Sequence, residues 1–540
     1  MMASQIDPSL LPLTSGPHIG KLSADDLRLQ LTRARDESTE HEENISALGG
    51  FISQGSLETT SLRQVATNCR YPEIFSTVRQ LFCESQHRAS QTITSLMVEF
   101  CNFATNSEQV KASALTVFTA IEYPILSGNI HIFGYHNGQM IGSVPGGGII
   151  RSDRLILPSF VIPKGEWFSL WHHHTVFNNS DGIPTVKGLP STKYGNTKGR
   201  CVIGGGSYPQ LNYVLSKAGI LLPTLANTVV DGDDFITPTS IIANPADDYD
   251  FKAKAIIGDS RSASATCLPT DERLLNGLAE RLFCGGDDPD GFINLASNSE
   301  SFFNDFDNST MYFQRRAHFL RYCDEVVNLL GTNDPVRYTS PEVTRALELK
   351  LLENRFIAGK KIYTATVPYK ASSSNDYFTS LGGQTMDANN ANYDNLNNYR
   401  KTNPDSLYHE VKDVASLVCD SVAKKWKPGP NARVVVASIA AGSNLIDVPA
   451  GGLTPANIAG GQGVMLCGTG GAAVGALLEY VSPTQLRFMA RNKINKPTGA
   501  PQNAVVAVTN GSLWIDARHY TSDGIHDTPD GVLEQEVAFA

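Results

Sequence analysis

Ala253-Lys-Ala-Ile-Ile-Gly-Asp-Ser-Arg-Ser262 is the stretch on which the fold turns. Ala255, Ile256 and Ile257 form an apolar run that reads as the end of a buried strand. Gly258-Asp259-Ser260 is then an abrupt turn, and helix-type sequence follows from Asp271 to Phe283. An acidic-serine turn at the carboxyl end of a strand is where open α/β sheets place reactive groups. Working outward, two further segments stand behind apolar runs or near the C-terminus: Val326-Val-Asn-Leu-Leu-Gly-Thr-Asn-Asp334 and Ser522-Asp-Gly-Ile-His-Asp-Thr-Pro-Asp-Gly531.

Between these segments strands and helices alternate. Strands are expected at residues 292–295, 325–330 and 361–367, and helices at 270–283, 311–323 and 341–356. That rhythm is the signature of a parallel sheet covered by helices on both faces. Residues 370–402, rich in Asn, Ser and Tyr, read as a long surface loop. A helix over 406–425 and a strand over 433–437 then resume the alternation. A Gly- and Ala-rich insertion is expected at about 441–510, ahead of the last segment. It either walls the cleft or is an extra β-element.

Upstream, residues 1–120 read as a helical region, a possible stalk or oligomerisation element. Phe75, Val78, Leu81 and Phe82 carry the helical period over residues 61–123. Residues 121–248 read as a β-sandwich-like accessory domain, with Asn137-Gly138 marking a hairpin. Residues 249–540 make the α/β domain. The fold class is therefore multidomain α/β, which suits 540 residues of 41% hydrophobic composition.

The net charge of −10 argues against a nucleic-acid partner. Nine scattered cysteines without a Cys-x-x-Cys pair suggest neither a zinc site nor a disulfide framework. With neither a secretory signal nor a membrane-length apolar run visible, a soluble protein is expected, cytoplasmic or virion-associated.

The three segments together resemble the SGNH, or GDSL-type, family of serine hydrolases. The resemblance covers roughly the C-terminal half and implies a three-layer α/β/α esterase domain. It implies Ser260 as nucleophile, His526 as its base and Asp523 as the carboxylate that orients the base. It also implies an oxyanion hole from the Ser260 N–H, a backbone N–H at Ser299 and the Asn333 side chain. Where the family carries glycine, this chain has Ser299 (or Asn298), which keeps an N–H but questions the glycine conformation. Asp259 and Asp334 are expected to brace their turns. The chemistry suits the residues, because a serine hydroxyl needs a base for its proton and donors for the oxyanion.

The resulting expectation is an esterase acting on O-acyl, most simply O-acetyl, groups of a small molecule or a polysaccharide, with no cofactor or metal. The alternative is a phage-tail or other structural glycan-binding protein with a weakly active or inactive hydrolase-like domain, for which a homo-oligomer such as a trimer is expected. The sequence also carries weaker motifs. His172 and His174 share one strand face and suggest a metal pair, with a sandwich surface as the simpler home. Residues 286–293 partly match a calcium loop, Asp231-Gly-Asp-Asp234 echoes a polymerase turn, and residues 468–475 approach a nucleotide-binding glycine loop.

Overall fold

The computed structural model describes residues 62–75, 80–104, 113–125, 127–157, 161–176, 181–186, 201–203, 236–247, 252–263, 277–285, 290–302, 312–337, 340–353, 357–373, 381–427, 433–453, 464–468, 471–491, 497–501, 503, 507–515, 520–521, 525 and 529–539. Residues 1–61, the first half of the expected helical region, lie outside that set.

Six parallel strands form the central sheet: β1 (Cys69–Arg70), β2 (Lys254–Gly258), β3 (Phe292–Asn294), β4 (Glu325–Leu329), β5 (Lys361–Ala365) and β6 (Glu410–Lys412). Their order is β1-β3-β2-β4-β5-β6. In register, Ile256 lies opposite Asn294 on one side and Val327 on the other. The chain leaves β2 to one side for β3 and then crosses to the other side for β4. This places a switch point at the carboxyl end of β2, where such sheets bind ligands. The strands are buried on both faces, so they read as apolar runs rather than alternations.

Helices flank the sheet: α1 (Ser260–Ala263), α2 (Leu278–Phe283), α3 (Tyr312–Leu320), α4 (Asp334–Arg337), α5 (Pro341–Leu352), α6 (Asn390–Thr402), α7 (Val414–Val418) and α8 (Pro529–Phe539). On one face, Leu278, Leu282 and Val532 pack with Ile256 and Val327. The other face joins a larger core that runs without a break into the upstream domain, linking Ala255, Ile257 and Val326 to Leu81, Val98 and Leu170.

The helical reading of residues 61–123 is overturned. Gln80–Arg88, Ser95–Cys101 and Leu115–Glu122 are strands of a sandwich that also takes in Trp167–Val176 and Ser240–Ala243. Phe100 of one sheet meets the His172 and His174 rings of the other at 5.2 and 4.7 Å. The misreading has a physical cause. Glu84, Ser85, Gln86 and His87 are all buried, so their polarity did not mark a solvated helix face. The chain also enters the α/β layer early, because β1 pairs in parallel with β3 at its edge.

Three further expectations change. The supposed surface loop contains α6, whose buried stripe is Tyr393, Leu396, Asn397 and Arg400. The supposed helix over 406–425 is instead β6, α7 and a two-residue hairpin pair at Cys419–Asp420 and Lys425–Trp426. Arg433–Ile439 belongs to the insertion, pairing antiparallel with Val508–Ile515. The insertion is thus wider than 441–510. Its strands close into a ring, because Leu445–Asp447 pairs with both Arg433–Ile439 and Gln485–Arg491.

Candidate active site

Gly258 ends β2, and Ser260 begins α1 half-exposed one residue after a fully buried Asp259. Gly258 lets this turn close, since a Cβ there would sit 2.6 Å from the Ser262 side chain. Asp259 accepts the Arg261 N–H at 3.0 Å on one oxygen and the Thr332 N–H at 3.1 Å on the other. Burial pushes its carboxyl above the usual range, opposed by these N–H groups and the Arg261 charge. The far end of α1 is also tied down, with Ser262 O accepting from Asn294 Nδ2 at 2.9 Å. Arg70 of β1 pairs with Glu280 at 2.8 Å, and Glu280 accepts from the same Asn294 amide at 3.0 Å.

The loop after β3 runs beside this turn, and Ser297 N–H donates to Gly258 O at 3.0 Å. Ser299 is exposed and adopts φ 63°, the left-handed conformation natural to glycine. Serine holds this conformation at a cost of about 1–2 kcal/mol. Asn298, the other candidate for this position, donates to Glu73 at 2.6 Å.

The turn after β4 completes the group. Gly331 has φ 124°, a conformation that calls for glycine, and a Cβ there would also press on Leu396 Cδ2 at 2.9 Å. Asn333 is half-buried, and its amide donates to Glu300 O at 2.8 Å. A primary amide has two donor hydrogens, which leaves a second for another acceptor. Asp334 accepts the Phe302 N–H at 2.9 Å. Behind the turn, Tyr393 donates to Thr332 O at 2.6 Å. Arg400, fully buried, donates to Leu330 O and Ala365 O, both at 2.7 Å, and pairs with Glu348 at 2.6 Å.

The turns bearing Ser260, Ser299 and Asn333 are thus stitched together at the carboxyl ends of three adjacent strands, β2, β3 and β4. Asp259 and Asp334 are the braces their sequence context suggested. Asp523 and His526 lie outside the described residues. Their flanks are anchored: Tyr520 packs in one cluster with Val367 and Tyr393, and Val532 of α8 packs with Ile256 and Leu278. Sequence reasoning missed Glu300, Arg316, Glu348, Tyr393 and Arg400. Each acts across 16 to 70 residues of chain, as with Arg316 on Glu300 and Arg400 on Leu330, so no local motif marks them.

The weaker motifs resolve as follows. His172 and His174 are buried in the sandwich core, not on its surface. Among the described residues no group of three or more His, Cys, Asp or Glu could hold a metal ion. Asp290 of the calcium-like stretch pairs with Lys254, while residues 286–289 and 231–234 lie outside the described set. Gly468 and Gly471 are paired ends of an antiparallel hairpin, not a phosphate loop before a helix. No helix among the described residues is long and apolar enough to cross a membrane.

No protein-family model matches the chain, and no curated protein matches it. Among solved structures it is similar to Axe2, an acetylxylan esterase from Geobacillus stearothermophilus, at 13% identity and a TM-score of 0.22, covering 31% of this chain and 77% of that one. It is similar to Est24, a carbohydrate acetylesterase from Sinorhizobium meliloti, at 18% identity and a TM-score of 0.22, covering 32% and 87%. A lipase/acylhydrolase from Enterococcus faecalis follows at 16% identity and 0.20, covering 33% and 88%. TM-scores this low leave the argument to the residues themselves.

Proposed function

We propose that this protein is a serine esterase of the SGNH type that removes O-acyl groups, with acetyl esters of a carbohydrate as the substrate class. The observation that carries the reading is the hydrogen-bonded union of the Ser260, Ser299 and Asn333 turns at one sheet switch point. Ser260 Oγ attacks the acyl carbon while its proton passes to His526, which Asp523 holds in the right tautomer. The carbonyl oxygen, now negative, is met by the N–H groups of Ser260 and Ser299 and by the Asn333 amide. Collapse expels the alcohol, which takes the proton from His526. Water, deprotonated by the same imidazole, then hydrolyses the acyl-enzyme. The carbohydrate is assigned by analogy with the family.

The alternative reading, a glycan-binding structural protein, rests on the expected helical N-terminal region, the absence of a visible signal peptide and a serine at 299 where the resembled family has glycine. The left-handed backbone at Ser299 supports the catalytic reading instead. The test is p-nitrophenyl acetate hydrolysis by the protein beside its Ser260→Ala variant. Turnover lost in a folded variant supports the esterase, and equal rates in both sink it.

A further inference from the structure

The loop that carries the Ser299 N–H is gripped from behind by one side chain. Arg316 of α3 is 1% exposed. Its Nη1 donates to Leu295 O at 3.0 Å, and its Nη2 pairs with Glu300 Oε2 at 2.8 Å. These acceptors bracket Ser299 on both sides. Glu300 is also a joint, because its carbonyl oxygen accepts the Asn333 amide at 2.8 Å. The position of one guanidinium therefore bears on two of the proposed oxyanion donors, which come from different strands.

The grip has a firm base. Arg316 lies over the Tyr71 ring, with Cζ 5.9 Å from its centre, and the Tyr71 N–H donates to Asn294 O at 2.9 Å. Beyond α3, Tyr322 donates to Glu99 of the sandwich at 2.8 Å. His318 stands 3.5 Å from that carboxylate, and Arg151 pairs with it at 2.8 Å. The sandwich thus fixes the helix from which Arg316 reaches. Arginine suits this role because its rigid fork reaches two separate acceptors, which a lysine point charge does not.

We propose that Arg316 and Glu300 form a positioning pair that presets the oxyanion hole, holding Ser299 in its left-handed conformation and Asn333 in register with it. The proposal rests on the esterase reading for its catalytic consequence, while its structural claim stands apart from turnover. Neither residue is assigned contact with the substrate.

The experiment compares Arg316→Met, Arg316→Lys and Glu300→Gln in the wild-type and Asn333→Ala backgrounds, with hydrogen exchange followed across residues 295–302. Arg316→Met should lower kcat about tenfold to hundredfold with KM held within about twofold, since an oxyanion contact matters most in the transition state. Arg316→Lys should recover part of the loss. In the Asn333→Ala background the same change should cost at least about threefold less, because coupled residues are non-additive. Amides of residues 295–302 should exchange about tenfold faster in Arg316→Met, with β4 unchanged. A folded Arg316→Met with wild-type kcat, equal losses in both backgrounds, or unchanged exchange would overturn the proposal. Should Arg316→Met fail to fold, Glu300→Gln decides it: reduced kcat and faster loop exchange support it, and wild-type values for both refute it. If the wild-type protein hydrolyses no ester, the esterase reading has failed, and loop exchange alone decides the positioning claim.

Discussion

Acid should weaken this protein from inside its sandwich. His87 Nδ1 lies 2.8 Å from Thr67 O, so that nitrogen carries the proton and Nε2 accepts from Ser85 Oγ at 2.7 Å. Ser85 Oγ in turn accepts from His172 Nε2 at 2.7 Å. Among the described residues neither ring nitrogen of His174 has a hydrogen-bond partner. Burial pushes His87 down to about 4 and His174 down to about 3, and it holds His172 well below its ordinary value. Because these folded values lie below the unfolded one, their contribution to stability is complete above the unfolded value, near 6.5, and is lost as pH falls toward the folded values. Between pH 7 and pH 5 the loss is about 2 kcal/mol each for His87 and His174, and His172 steepens it. That is a large part of the ~5–15 kcal/mol stability of an ordinary domain. Urea unfolding at the two pH values, followed by the fluorescence of Trp167 and Trp171 on the same strand, measures it. His174→Leu, similar in volume, should remove about 2 kcal/mol of the pH-dependent loss. It should also stabilise the fold at pH 7 by roughly 1–3 kcal/mol, because an unpartnered buried polar ring is replaced. An unchanged pH dependence in that variant, or a fold that strengthens as pH falls, would refute this reasoning.

Other perturbations test the site. Asp259→Ala strands two buried N–H groups, those of Arg261 and Thr332, and should cost about 2–5 kcal/mol in thermal unfolding together with most of the proposed esterase activity. Gly331→Ala meets both a positive φ and Leu396 at 2.9 Å, so kcat should fall at least about tenfold while secondary structure by circular dichroism is retained. Ser299→Gly should keep kcat within about twofold, because the proposed donor is a backbone N–H, and should leave the melting temperature equal or slightly higher. A loss of activity there would assign a role to the hydroxyl.

The parallel sheet was legible because its strands are buried on both faces and announce themselves as apolar runs such as Ala255-Ile256-Ile257. The three turns were legible for the same reason, each following such a run. What hid the sandwich was buried polarity. Glu84 accepts from Ser169 at 2.6 Å and Glu122 from Trp171 at 3.1 Å, so carboxylates line strands that hydropathy reads as solvated helix. Helix α6 was hidden likewise. Asn397 clamps both the N–H and the carbonyl of Val367, and Arg400 is buried against Glu348, so its inward stripe is half polar. Arg316 shows the remaining limit, since its partners at Leu295 and Glu300 are set by tertiary packing and not by a spacing.

The central claim is that Ser260 is an activated nucleophile, and a fluorophosphonate that captures such serines tests it directly. Labelling followed by mass mapping of the digested protein should place one adduct on the peptide containing Ser260, and His526→Ala should abolish it. An unlabelled protein, or an adduct on another serine that persists in Ser260→Ala, would contradict the account.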